Sequence, residues 1–136
     1  MTDKISFKTK GNVDIVDITS DVNKILQEQS VSEGIAFLFV PGATGAITTV
    51  EYEPGLVADL KKLFEDLIPT NKVYQHNLSH SDSNGHSHLR ASLVGSSLNV
   101  PFADKKLELG VWQNIIFIEF DNRPRSREII VKILKI

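Results

Sequence analysis

The chain has 136 residues, the length of one domain, and its 41% hydrophobic and 24% charged content is that of a soluble globular protein able to bury its own core. Fifteen Lys and Arg against seventeen Asp and Glu leave a net charge of −2, which removes any global electrostatic reason to bind nucleic acid or an anionic membrane. The absence of cysteine excludes disulfides, thiolate metal sites and cysteine nucleophiles, and no signal peptide or run of ~18 apolar residues is present, so a cytoplasmic protein is expected.

In chain order, Ile5 to Lys10 and Val13 to Ile18 read as strands around a turn at Gly11-Asn12. Val13 and Ile15 alternate with Asp14, but Val16 and Ile18 break the alternation, which predicts a bulge or burial on both faces. Thr19 or Ser20 can cap a helix carrying Val22, Ile25 and Leu26 on one face, in a region ending at Gly34. Ile35 to Val40 is apolar at every position and predicts a central strand covered on both faces. After the glycine-broken segment PGATGA, Ala46 to Tyr52 offers another strand. Pro54 to Ile68 is the clearest helix, with proline at its first position and Leu56, Val57, Leu60, Leu63, Phe64, Leu67 and Ile68 at helical spacing. Asn71 to Gly85 is polar and reads as an irregular loop, and His88 to Val94 as a short helix ended by Gly95. Leu98 to Phe102, Lys106 to Leu109, Val111 to Asp121 and Glu128 to Ile136 complete the strands. The pattern predicts a single α+β domain over residues 1–136, with a β-sandwich-like core of mostly antiparallel strands and two or three helices.

All four histidines, His76, His80, His86 and His88, fall within YQHNLSHSDSNGHSHLRAS. Neutral imidazole ligates first-row metals and titrates near physiological pH, so this clustering points to a metal or acid–base centre. His76, His86 and His88 are the expected ligands of a zinc-like ion with open coordination, provided His86 lies on extended chain or just before the helix. Asp82 is a fourth ligand or an orienting carboxylate. His80 reads as a solvated loop residue, and the alternative for the whole stretch is a histidine-rich polar surface loop. Arg90, taken to lie in the first turn of the helix, could grip an anion together with free backbone N–H groups and nearby Asn84, or form a surface salt bridge.

Other polar residues need explanations too. Glu51 shares a strand face with Glu53 and could act as a base or ligand, whereas Glu53 also suits a helix N-terminus. Gln113, Glu119 and Asp121 lie in an otherwise apolar strand, where a polar group needs a partner or a ligand, and Trp112 reads as core. Arg123, Arg125 and Arg127 alternate, as an anion-binding edge or as edge-strand charges that discourage aggregation.

The segments YQHN, SNGHSHLRASLVGSS and LELGVWQNIIFIEFDNRPRSR, with Gly110, Trp112 and Gln113 forming GxWQ, resemble the YjbQ family (UPF0047), also called the secondary thiamine-phosphate synthase family. The resemblance runs from Ile18 to the C-terminus. It implies a compact α+β fold, a homotrimer, and a metal or anion site around the histidine loop near a subunit interface. Many relatives resemble P-H-T-T-A-A where this chain has Pro41 to Ala46, so one histidine is absent here and His86 is its expected replacement. The implied function is thiamine-phosphate synthase activity, joining a pyrimidine diphosphate to a thiazole phosphate. That chemistry needs a divalent cation, zinc-like at the histidines or magnesium carried with the diphosphate, and basic groups such as Arg90 and Arg125. A metal-dependent phosphate-ester hydrolase and a non-catalytic metabolite-binding trimer are the alternatives.

Overall fold

A computed structural model describes residues 2–136. The elements in chain order are β1 (Thr2–Lys8), β2 (Asp14–Asp17), α1 (Thr19–Glu28), β3 (Gly34–Phe39), β4 (Gly45–Val50), α2 (Pro54–Leu67), α3 (Gln75–Ser79), α4 (Gly85–Val94), β5 (Ser97–Ala103), β6 (Lys106–Leu107), β7 (Asn114–Glu119) and β8 (Ser126–Lys135). Every strand pairing is antiparallel. One sheet runs β1-β8-β3-β5-β6 and the other β2-β7-β4, so the fold is α+β as the pattern predicts.

β7 explains the layering. Ile115 and Phe117 face the five-stranded sheet, packing with Ile5, Ala36, Leu38, Val100, Ile129 and Val131. Ile116 and Ile118 face the other way, where Phe64 of α2 and Ala91 of α4 cover them. A strand buried on both faces must be apolar at successive positions, which accounts for the run IIFI. The same two-sided burial explains the broken alternation of β2, with Val16 packing on the first core and Ile15 in the second.

β3 behaves differently from its sequence expectation. It is central, between β8 and β5, but only Gly34, Ala36 and Leu38 are buried and Phe39 is exposed. Within the chain, only one face of the larger sheet is fully covered. Trp112, expected in the core, is 72% exposed beside Val111. Both sit on the turn before β7, which begins at Asn114.

α2 matches its expected span to within one residue, with Pro54 at its start. The Glu53 carboxylate accepts from the N–H groups of Gly55 and Leu56, so Glu53 serves as the helix N-cap. α4 departs more: it begins at Gly85, three residues before the expected His88, so both His86 and His88 are helical. The stretch read as irregular also contains α3, which carries His76 and ends just before His80. α3 seats against α4 where Gly85 has no side chain; a Cβ there would lie 2.8 Å from Tyr74 Cβ and from Asn77 Oδ1, and the Gly85 N–H donates to that oxygen.

Candidate functional site

Three of the four imidazoles meet where α3 packs on α4. The His76 ring stacks on His80 at a centroid distance of 4.5 Å and an interplanar angle of 7°, and sits 4.5 Å from His88 at 44°. His76 and His80 are four apart across the short helix, which puts them on one side. His76 Nδ1 is buried and has no hydrogen-bond partner. Burial holds the His88 imidazole below the ordinary histidine range, and the charges of His76 and His80 act in the same direction, against Asp121 and a hydrogen bond with the Ala43 backbone. His88 is therefore neutral at physiological pH, the form that ligates a metal or accepts a proton.

His88 borders two clefts. One, of about 420 Å³, is lined by Tyr74, Gln75, His76, Gly85, His88 and Leu89. The other, of about 430 Å³, lies against Gly42, Ala43, Gly45, His88, Ser92 and Ser96.

His86 does not join this cluster. It is 3% exposed, and its Nε2 is 3.4 Å from Ser87 Oγ. Residues two apart on a helix diverge by about 200°, and His86 has Arg90, Glu65 and Asp121 as its charged neighbours rather than His76. Burial, then the Arg90 charge, lowers its pKa, and its Nδ1 is buried without a partner. Among the described residues no three His, Asp or Glu side chains converge as a metal-holding group. The expected triad of His76, His86 and His88 is thus replaced by the pair His76–His88 with His80 stacked behind it.

Arg90 is in the second turn of α4, beyond its expected place in the first. It is 2% exposed, with Nε and Nη2 donating to Ile68 O at 3.0 and 2.7 Å and Nη2 reaching Thr70 Oγ1 and Glu65 Oε2. It clasps the C-terminal end of α2, with Glu65 as partner in place of the surface ion pair.

Asn84 and Arg125 belong to a buried polar network beside α4. Glu119 and Arg127 form an ion pair with both side chains almost wholly buried, and Arg127 Nη2 also donates to Thr44 Oγ1 at 2.8 Å. Thr9 Oγ1 and the Asp121 N–H donate to the Glu119 carboxylate as well. Asp121 accepts from Arg125 Nη1 at 2.7 Å, from Asn84 Nδ2 and from Thr44 Oγ1. Burial would raise the Asp121 carboxyl, but the Asn122 N–H, the Asn84 amide, Arg125 and Arg123 together hold it below the usual range. Asn84 Oδ1 remains buried and unpartnered. Arg127, paired with Phe7 of β1 and 6% exposed, faces inward to Glu119 and is not an edge charge.

The remaining candidates lie elsewhere. Glu51 is exposed just past the end of β4, whose other end, Gly45, lines the second cleft; the strand's length separates them by roughly 17 Å. Asp82 is exposed on the α3–α4 connection, where its carbonyl accepts from Asn122 Nδ2. Gln113 is exposed before β7 and braces its turn, accepting from the Gly110 N–H and donating to Thr49 Oγ1. His80, expected as a solvated loop residue, is exposed just past α3, and its stacking on His76 was signalled by the spacing H-x-x-x-H. The sequence reading placed Arg127 on an edge with Arg123 and Arg125, although Glu119 in an apolar strand called for a buried cation.

Residues 3–136 match the family described as UPF0047 protein YjbQ-like. A UPF0047 protein of Archaeoglobus fulgidus is 40% identical over 131 residues, covering 96% of this chain and 99% of that one. The UPF0047 protein YugU of Bacillus subtilis is 33% identical over 136 residues, covering 98% and 99%. The crystal structure of a YbjQ-like protein of unknown function from Sulfolobus solfataricus superposes with a TM-score of 0.94 at 34% identity, over 100% of this chain and 97% of that one. That of a hypothetical protein from Aeropyrum pernix gives 0.92 at 30% identity, over 100% and 99%. No helix is long and apolar enough to cross a membrane among the described residues. The chain belongs to the UPF0047 (YjbQ-like) family.

Proposed function

We propose that the His76–His88 pair is the working centre of an enzyme acting on phosphorylated small molecules, with thiamine-phosphate synthase-like transfer as its specific form. The observation that carries this reading is the pair itself: two imidazoles 4.5 Å apart, one with a buried, unpartnered Nδ1, where two clefts meet. In the synthase form, the bond between the pyrimidine methylene carbon and the diphosphate oxygen breaks. The thiazole nitrogen forms the new carbon–nitrogen bond, and diphosphate leaves with the electron pair.

The residues fit a divalent cation as a two-imidazole seat, the other ligands coming from water, diphosphate or another copy of the chain. When bound, that cation would neutralise the leaving diphosphate. The chain's own contribution is a neutral His88, an imidazole stack that orients His76, and a rigid polar network behind α4. A homotrimer belongs to this reading: Leu63, Leu67, Leu78, Leu89 and Leu93 are exposed on the three helices around the site and would suit a subunit contact.

One observation favours a non-catalytic metabolite-binding protein instead: Glu51, expected as a base or ligand, and Asp82, expected as a ligand or orienting carboxylate, are both exposed. The deciding experiment supplies the pyrimidine diphosphate, the thiazole phosphate and a divalent cation, and measures thiamine phosphate. Cation-dependent product that disappears in His88→Ala supports the synthase. Cleavage of generic phosphate esters without that product indicates a hydrolase. If neither reaction occurs but thiamine-related phosphates raise the melting temperature, the protein is a binder, since a ligand of the folded state stabilises it by mass action.

A further inference from the structure

We propose that a second copy of this chain seats its Val111–Trp112 turn in the 420 Å³ cleft of Tyr74, His76, Gly85, His88 and Leu89, forming an apolar wall of the His76–His88 site. That this wall serves a reaction rests on the reading of the pair as the working centre; the contact itself does not.

The turn buries little within its own chain. Val111 is 90% exposed and Trp112 72%, although an indole that docks removes about 150–250 Å² from water. Yet the turn is firmly held. The Gln113 N–H donates to Gly110 O, its Oε1 accepts from the Gly110 N–H, and its Nε2 donates to Thr49 Oγ1. A large apolar side chain on a braced turn has the form of an interface anchor, because little freedom is lost when it binds.

The cleft is its complement. Its surface is almost wholly apolar, and Leu93, one helical turn beyond Leu89, continues that surface along α4. The chain cannot fill the cleft with its own turn. The turn precedes β7 at Asn114, whereas Asn84 ties the start of α4 to Asp121, past the far end of β7. The strand's length separates the two by roughly 17 Å. A contact between two different surfaces runs head to tail from copy to copy and closes as a ring.

Surface area and charge both point to a copy as occupant. A folded monomer of 15.1 kDa exposes about 7,100 Å², and this chain exposes 7789 Å². The excess of about 700 Å² approaches the ~800 Å² that one side of a standard interface buries. No carboxylate lines the cleft, and Lys72 Nζ stands 5.5 Å from the ring centroid of Tyr74 in its wall. Exposed Glu51 and Glu108 lie on the turn's side, where the Tyr52 N–H donates to Asn114 Oδ1. The polar cleft on the other flank of His88, with Ser92 and Ser96, stays open for a ligand.

Trp112 is the single tryptophan of the chain, so its fluorescence reports this contact alone. At micromolar concentration the full chain should show blue-shifted emission that acrylamide quenches poorly. Dilution until light scattering reads the 15.1 kDa chain should shift the emission to the red and open it to quencher. Leu89→Glu, which charges the cleft from an exposed helix position, should free the indole and raise the concentration of half-assembly about thirtyfold or more, the loss of an anchor. Trp112→Ala should weaken assembly equally, and mixing the two variants should restore one intact contact and give a dimer. The proposal is overturned if the parent is a monomer at micromolar concentration, or if its assembled indole is quenched as readily as in the unfolded chain. Blue emission that persists in the monomer or in Leu89→Glu overturns it as well. If docking holds while the synthase and hydrolase assays stay silent, the proposed activity fails and this contact stands. If the synthase assay succeeds while Trp112 is freely quenched, this contact fails and the activity stands.

Discussion

Replacing Arg90 by Ala separates a structural clasp from an anion-binding role. The guanidinium is 2% exposed and makes two bonds to Ile68 O, at 3.0 and 2.7 Å. Truncation removes these and leaves the carbonyl without its charged donor, a loss of about 1.5–3 kcal/mol. The contact to Thr70 Oγ1 adds somewhat less. Glu65 is half exposed, so its pairing with Arg90 contributes under ~1 kcal/mol. The sum is about 3 kcal/mol. With an unfolding entropy near 2.1 cal/mol/K per residue, a chain of 136 residues has about 0.29 kcal/mol/K, so the melting temperature should fall by about 10 °C. Thermal unfolding followed by circular dichroism measures this, with Arg90→Met as a control that keeps the aliphatic stem. Phosphate affinity, measured on the folded variant, should not change. A melting temperature within about 3 °C of the parent together with weakened phosphate binding would refute the clasp.

Glu119→Gln should cost about 3–5 kcal/mol in chemical denaturation, because it leaves Arg127 buried without its counter-charge; the double variant Glu119→Leu/Arg127→Met should recover part of that, and an undiminished midpoint for Glu119→Gln would argue against a buried pair. His86 and His88 are both held below the ordinary histidine pKa. The unfolded chain therefore takes up protons first as the pH falls below about 6.5, so stability is full above that pH and declines beneath it. His86→Gln should flatten the decline; a melting temperature equally pH-independent in parent and variant between about pH 7.5 and 5.5 would contradict this. Light scattering should give about 45 kDa, three times the 15.1 kDa chain, and a monomer at micromolar concentration would exclude the trimer.

The fold was legible wherever burial imposed a period. β7 announced itself by successive apolar residues because it is buried on both faces; α2 did so by seven apolar residues at helical spacing, although of these only Phe64 is buried within the chain. α3 was not legible: five polar-rich residues carry no period, and such a helix holds through its packing on α4 at Gly85 and His88. The early start of α4 was hidden for a related reason, since Gly85, His86 and Ser87 are weak helix formers made helical by burial. Those two errors moved the site. With His76 on α3, His80 just past its end, and His86 and His88 diverging on α4, the imidazoles that meet are not the three expected. Arg127 was misplaced because alternating arginines read the same whichever face they take; the register of β8 on β1 puts this side chain on the buried face, where it meets Glu119.

The central claim is that His76 and His88 act together and His86 stands apart. Imidazole nitrogen resonances, recorded while a zinc salt and then the pyrimidine diphosphate are added to the full chain, test it most directly. The account predicts that His76 and His88 shift in parallel and saturate at the same ligand concentration, while His86 keeps its neutral, buried signature. A shift of His86 with His76 unmoved, or no response from either ring of the pair, would contradict it.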